Sequence, residues 1–392
     1  MMKITNWQLG LPAIFLSFAA ASTQAADISI SGFASFVGGK ATHQQKRKDG
    51  TNTSYVADPS YSRDNGEVNL KAEYGDDLSF RPDSNYGLQL VADVGENLTI
   101  TSQVTARGAT DFNNELESMY ITYTASDALT FQAGRQRIPF YLYSDFLDVG
   151  YAYHWIRPPA EVYGGTVNTY EGLMATYKGQ LGNWDASAQL YGGTTTSDQS
   201  QFGVLGSDDM KGLVLSANNS WLRVRASVLQ GGFFIENSEN NRDNPVDVTF
   251  SSAAAYLTLG NGFFAVEGTL TEPDSEDYID TAIALPDEYT KLGISVKITK
   301  RTSFMATAGY EWGEFTPHVT FIESSADFGD QLDGLIAEVE TTIVGVRWDF
   351  HPSAAFKLEY SSSEDKSTST LINGQGHFYE VDTVTAGIDI IF

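Results

Sequence analysis

The sequence predicts an all-β fold, a transmembrane antiparallel β-barrel of about 16 strands with one loop folded inward. Three observations predict it. The chain ends in a strand with one apolar face, its only long apolar stretch is a short N-terminal leader, and its connections alternate between short turns and long polar loops. In the last segment Val384, Ala386, Ile388, Ile390 and Phe392 share one face, while Thr383, Thr385 and Asp389 lie on the other. An open strand of this kind is a template for aggregation in water. It suits a closed sheet with lipid on one face and a wet lumen on the other.

The N-terminus reads as a secretory signal peptide over residues 1–25. Lys3 supplies the early positive charge, Leu9 to Ala21 the apolar region, and small residues precede a cleavage point after Ala25. That apolar region is too short to cross a bilayer, and no later stretch reaches the roughly 18 apolar residues a helical span needs. The barrel is therefore expected over residues 26–392. The formal net charge of −26 argues against nucleic-acid binding, which needs a basic footprint. The absence of cysteine excludes a disulfide scaffold and thiol chemistry.

The strands follow in order. Ile28 to Lys40 is the first, and a polar stretch containing Lys46, Arg47 and Lys48 comes after it. Tyr86–Val94 and Leu98–Gly108 flank Gly95-Glu96-Asn97; Leu116–Ala125 and Leu129–Ile138 flank Ser126-Asp127-Ala128. Gly172–Lys178 and Trp184–Tyr191 flank Leu181-Gly182-Asn183, and Lys211–Ala217 and Trp221–Leu229 flank Asn218-Asn219-Ser220. Val248–Leu259 and Phe263–Leu270 flank Gly260-Asn261-Gly262, and Tyr289–Ile298 and Thr302–Tyr310 flank Thr299-Lys300-Arg301. Thr341–Phe350 and Ala355–Tyr360 flank His351-Pro352-Ser353. Gly, Asn, Asp and Pro supply these turn conformations at low cost. The opposite connections are long and polar, as in Thr194–Asp209, Ile235–Asp247, Glu272–Asp287, Thr316–Leu335 and Ser361–Val381. That asymmetry belongs to a barrel with unlike ends.

Parity assigns the faces. Leu222, Val224, Ala226 and Val228 oppose Arg223, Arg225 and Ser227; Phe304, Ala306 and Ala308 oppose Thr307. A charge facing lipid at mid-depth costs roughly 2–4 kcal/mol, so the charges are expected to point inward. Trp184, Tyr191, Trp221, Phe263, Trp312, Trp348 and Tyr360 suit interfacial girdles, with internal packing as the alternative for each.

Residues 134–164 (GRQRIPFYLYSDFLDVGYAYHWIRPPAEVYG) differ from the other loops in being aromatic, proline-containing and mixed in charge. Pro139, Pro158 and Pro159 stiffen the segment, and Tyr141, Tyr143, Tyr151, Tyr153 and Trp155 can pack on a barrel wall. Gly134-Arg135-Gln136 followed by Pro139-Phe140 resembles the run into the constriction loop of proteobacterial trimeric porins. The stretch through Arg157-Pro158-Pro159-Ala160-Glu161-Val162-Tyr163 is similar to a porin-like branch of marine proteobacteria. The terminal strand ending on Phe392 resembles the assembly signal of Gram-negative outer-membrane barrels. The resemblance implies a homotrimer in the outer membrane, with residues 139–164 narrowing a water-filled channel for small hydrophilic solutes and ions. It also implies outer-membrane lipid and lipopolysaccharide as surroundings, with no cofactor and no metal. The acidic, glycine-rich loop tip of well-known porins is not evident here, so no solute preference is carried over.

By that resemblance Arg135 is a basic wall residue at the neck. Strict alternation from Phe131 and Ala133 puts it outward instead, so inward placement requires a bulge or twist near Gly134. Parity independently offers Arg107, Arg223, Arg225, Arg347 and Lys357 as inward cations, with Asp145, Asp148 and Glu161 of the loop opposite part of this set. Opposed charges across a narrow neck orient polar solutes and set ion preference. The plainer alternative for each charge is a structural ion pair, or a hydrogen bond that pins the loop. Arg157 and Glu161 could pair with each other or with the wall.

The acidic stretches Glu272–Asp280 and Asp327–Asp333 read as solvated surface, since DFGDQLDG lacks the closing bidentate Glu of a calcium loop. His43, His154, His318, His351 and His377 have no metal-ligand spacing, and no GxSxG, HExxH or GxxxxGK[ST] motif occurs. A porin rather than an enzyme is the expectation. Two rivals stay open: a channel selective for an anion or saccharide, and an adhesive barrel whose acidic loops bind cations.

Overall fold

Strands whose residues alternate between apolar and polar must cover one apolar face, and here they close on themselves with that face outward. In the computed structural model, residues 27–44, 63–64, 67–68, 74–164, 167–197, 204–235, 242–243, 245–274, 300–327, 336–366 and 379–392 are described. The expected signal peptide lies outside them. The strands are β1 Asp27–Gln44, β2 Arg63–Asp64, β3 Glu67–Val68, β4 Asn85–Gly95, β5 Leu98–Arg107, β6 Asn114–Ser126, β7 Leu129–Arg137, β8 Thr169–Leu181 and β9 Trp184–Ser197. Next come β10 Leu205–Asn218, β11 Leu222–Ile235, β12 Val246–Leu259, β13 Gly262–Pro273, β14 Lys300–Tyr310 and β15 Phe315–Asp327. The last are β16 Ile336–His351, β17 Ala354–Asp365 and β18 Tyr379–Ile391. β2 and β3 form a separate ribbon; the other 16 strands pair in sequence order, and β1 closes the barrel between β18 and β4.

Closure is made at the chain end. Phe33 pairs with Ile391, and Gly32 and Phe392 exchange backbone hydrogen bonds of 2.8 and 3.0 Å. The barrel sheet keeps no open edge to recruit another chain. The outer face carries exposed large apolar side chains all round, among them Ile30, Leu90, Ile121, Leu173, Leu215, Phe264, Phe321, Val344 and Ile388. An apolar surface so extensive is what contact with hydrocarbon requires. In β18, Thr385 and Asp389 are buried on the inner face, as parity expects.

One strand was misplaced by sequence. The segment from Thr316, expected as a loop, is β15 through Asp327, and the turn joining it to β14 lies around Gly313, whose φ is +64°. Lys300 and Arg301, expected in a turn, are the first residues of β14. Pro317 and the charges at Glu311, Glu314 and Glu323 disguised the pattern. Yet Phe315, Pro317, Val319 and Phe321 face out while His318, Thr320 and Ile322 are buried inside. The expected strand Tyr289–Ile298 lies outside the described residues. Two girdle candidates are also inside the barrel: Tyr191 packs with Tyr170 and Met174, and Phe263 against His154 and Tyr256. Trp221, Trp312, Trp348 and Tyr360 are exposed.

Candidate functional site

The connection between β7 and β8 runs inside the barrel. It contains two 3-10 turns, Ser144–Phe146 and Gly150–Ala152, and one helical turn, Ala160–Tyr163. Its aromatic residues form a core of their own against the inner wall. Tyr143, Tyr153, Trp155 and Tyr163 pack with Met305, Ile322, Ile343 and Ala254, and Trp155 is fully buried. The ring of Trp155 lies 3.9 Å from His154 and 5.6 Å from Tyr143, and its Nε1 donates to Thr320 Oγ1 at 2.8 Å.

Polar side chains of the wall reach the loop from many sides. Arg225 donates to the carbonyl of Pro139 (2.6 Å), and Ser227 to that of Phe140 (2.7 Å). Glu267 accepts from the Leu142 amide (3.0 Å), the Tyr163 hydroxyl and Ser252 (3.1 Å). Lys357 donates to the carbonyls of Gly150 (2.6 Å) and Trp155 (2.5 Å) and pairs with Asp389 at 2.7 Å. Arg347 donates to the carbonyls of Tyr151 (2.6 Å) and Tyr153 (2.8 Å), and lies 4.7 Å over the Tyr151 ring. Glu359 accepts from the Ile156 amide at 2.9 Å. Glu161 accepts from Thr341 at 2.7 Å, and Arg157 pairs with Asp83 at 3.1 Å, so these two loop charges bind elsewhere than each other.

A five-residue charge cluster fastens the near side. Arg107 pairs with Glu115 (2.8 Å), Glu117 (2.6 Å) and Asp148 (2.8 Å), while Arg137 pairs with Glu117 (2.6 Å) and Asp148. Glu117 owes its place to a bulge: Gln103 pairs with Ser118 but Val104 with Leu116, leaving Glu117 extra and turned inward beside Ser118. Asp148 is buried. Burial opposes its ionisation, but Arg107 and Arg137 override it and hold its carboxyl well below the usual carboxylate range.

The structure thus separates the expected charges. Arg107, Arg225, Arg347, Lys357, Asp148 and Glu161 all face the lumen and all bind the loop or hold it. Arg223 shares the inner face with Arg225 and is exposed, as is Asp145 on the loop. Arg135 is a correction. Gly134 does adopt a φ of +134°, a conformation for glycine, and a Cβ there would meet the Met119 carbonyl at 2.3 Å. The register nevertheless runs unbroken through Gly134↔Gly172 and Arg135↔Glu171. Arg135 therefore stays on the outer face with Met119 and Leu173, paired to Glu171 at 3.3 Å.

Sequence reasoning missed Arg137, Glu117, Glu267 and Glu359. Glu267 was within reach, as an acid sharing the face of Phe263 and Ala265 in β13. Glu117 was not, because a bulge leaves no mark in the alternation. Among the described residues no group of three metal-ligating side chains occurs.

Beside the loop lies a partly open cavity of about 90 Å³. Phe140, Leu205, Leu229, Phe233 and Phe250 line it, with Arg137, Tyr141, Ser144 and Asn168 among the polar residues.

No family model and no curated protein matches the sequence. Solved structures do match. The outer-membrane channel DcaP of Acinetobacter baumannii superposes with a TM-score of 0.60 at 11% identity, over 95% of this chain and 99% of that one. OmpF of Salmonella typhi, in a complex with daunomycin, gives 0.59 at 13% identity over 93% and 97%. An anion-selective porin from Comamonas acidovorans gives 0.54 at 11% identity over 94% and 100%. With its 16 closed strands and its inward loop, the chain has the fold of the outer-membrane porins.

Proposed function

We propose that the protein is an outer-membrane porin, passing small hydrophilic solutes by passive diffusion through a neck narrowed by residues 139–164. The observation that supports this is a loop held inside a closed barrel whose outer face is apolar. A barrel of this strand number is wide enough for an aqueous channel, and a stiff, anchored loop sets its bore. On this reading the signal peptide is removed after export, the barrel lies among lipid and lipopolysaccharide, and it assembles as a homotrimer. Arg107 with Asp148, Arg225, Arg347, Lys357 and Glu161 act as loop anchors at the neck. Arg223 and Asp145 are the charges left to solutes.

The near-side cluster carries two cations and three carboxylates, so a weak preference for cations is expected. Single-channel recording of the refolded protein in planar bilayers, under a salt gradient, tests the reading. Stepwise openings, often in threes, with a cation-selective reversal potential are expected. No conductance from a folded, inserted barrel would overturn it and favour an adhesive barrel. A solute-selective channel is the second reading, favoured by the apolar cavity beside the loop.

A further inference from the structure

The inner wall of a water-filled pore gains nothing from large apolar side chains. Yet Leu205, Leu229, Phe233 and Phe250, from β10, β11 and β12, gather in one sector of the lumen opposite Phe140. Phe233 and Leu229 are buried by their neighbours, and the Phe233 and Phe250 rings meet edge to face at 5.3 Å. The space they bound is nonetheless unfilled: about 90 Å³ stands open there, several times what a single water needs.

The polar side of the cavity constrains what it takes. Arg137 is its only lining cation, and both Glu117 and Asp148 already claim that guanidinium. Arg107 next to it is bound to three carboxylates. Asp145, adjacent in sequence to the lining residue Ser144, is exposed. An incoming carboxylate would find the one lining guanidinium already shared by two carboxylates. An aromatic ring would meet three phenylalanines.

From this we infer that the cavity is a solute subsite beside the neck, for small aromatic molecules with a cationic or uncharged head. The inference rests on the porin reading for its physiological sense, but the cavity itself can be tested without current. A matched series of benzyltrimethylammonium, benzyl alcohol and benzoate varies the head while keeping the ring. Binding to the folded protein in lipid nanodiscs is measured by ligand-detected NMR, with empty nanodiscs as the blank for partition into lipid. Phe233→Ser/Phe250→Ser removes the aromatic wall, and Leu205→Trp fills the space should the first variant not fold.

Saturable binding of the cationic and uncharged probes is expected, weakened by roughly tenfold or more in a folded variant, with benzoate the weakest of the three. Binding that is non-saturable, unchanged in the folded variant, or strongest for benzoate overturns the inference. Probe binding without conductance would remove the channel reading and leave the subsite. Conductance without probe binding would do the reverse.

Discussion

His154 lies in the loop with its Nε2 3.3 Å from Thr307 Oγ1 and its ring 4.6 Å from His318. Burial, and then the neighbouring His318, Lys357 and Arg347, push its pKa well below the ordinary value. The sign follows. An unfolded histidine takes up a proton below about pH 6.5, and the buried one refuses it. Stability tied to His154 is therefore intact above that pH and lost as pH falls below it. Asp148 acts lower. Its ion pairs contribute fully above the ordinary carboxylate value of about 3.9 and weaken only as pH falls toward its depressed one. Between pH 7 and 5, thermal melting of the folded barrel should shift downward, and His154→Gln should flatten that dependence. An unchanged slope in the variant would place the responsible group elsewhere.

At the scale of elements, the loop is held by side chains that sequence distance hides. Trp155 meets Thr320 across 165 residues, and Lys357 meets the Trp155 carbonyl across 202. Trp155→Ala removes a fully buried side chain and one buried hydrogen bond. By analogy with other large-to-small core changes it should cost roughly 3–5 kcal/mol, taken mainly from the loop rather than the strands. Larger and noisier single-channel conductance, with strand content unchanged by circular dichroism, is the expected outcome. Conductance identical to the parent would mean that the loop keeps its course without this anchor.

Over the whole molecule, closure depends on one pairing distant in sequence, β1 with β18, sealed by Gly32 and Phe392. The exposed Phe392 ring covers Gly32, where a Cβ would meet ring carbon at 2.5 Å. Deleting Phe392 removes that seal and the aromatic end of the strand. The fraction of protein that refolds to a compact, heat-modifiable form on a gel should fall markedly, whereas Trp221→Ala, which removes another exposed aromatic but keeps the backbone, should leave it near parental. Equal yields would show that closure does not rely on the terminal residue.

The alternation in β11, the turn at Gly260-Asn261-Gly262 and the apolar face of the last strand are local properties. A residue's face follows from its parity, and a turn from its own chemistry. From these the barrel, its unlike ends and the aromatic loop over residues 139–164 could be read directly. Parity also placed Arg107, Arg225, Arg347 and Lys357 inside, and put Arg135 outside against the family resemblance. It failed where local rules meet an exception, as at Pro317 in β15, or where one inserted residue turns Glu117 inward. What each inward charge binds was decided only by tertiary structure. Whether Lys357 faces solute or the Gly150 carbonyl depends on the path of a loop some 200 residues away in sequence. Burial and pairing of a charge arise from long-range register, and no alternation within a strand encodes that.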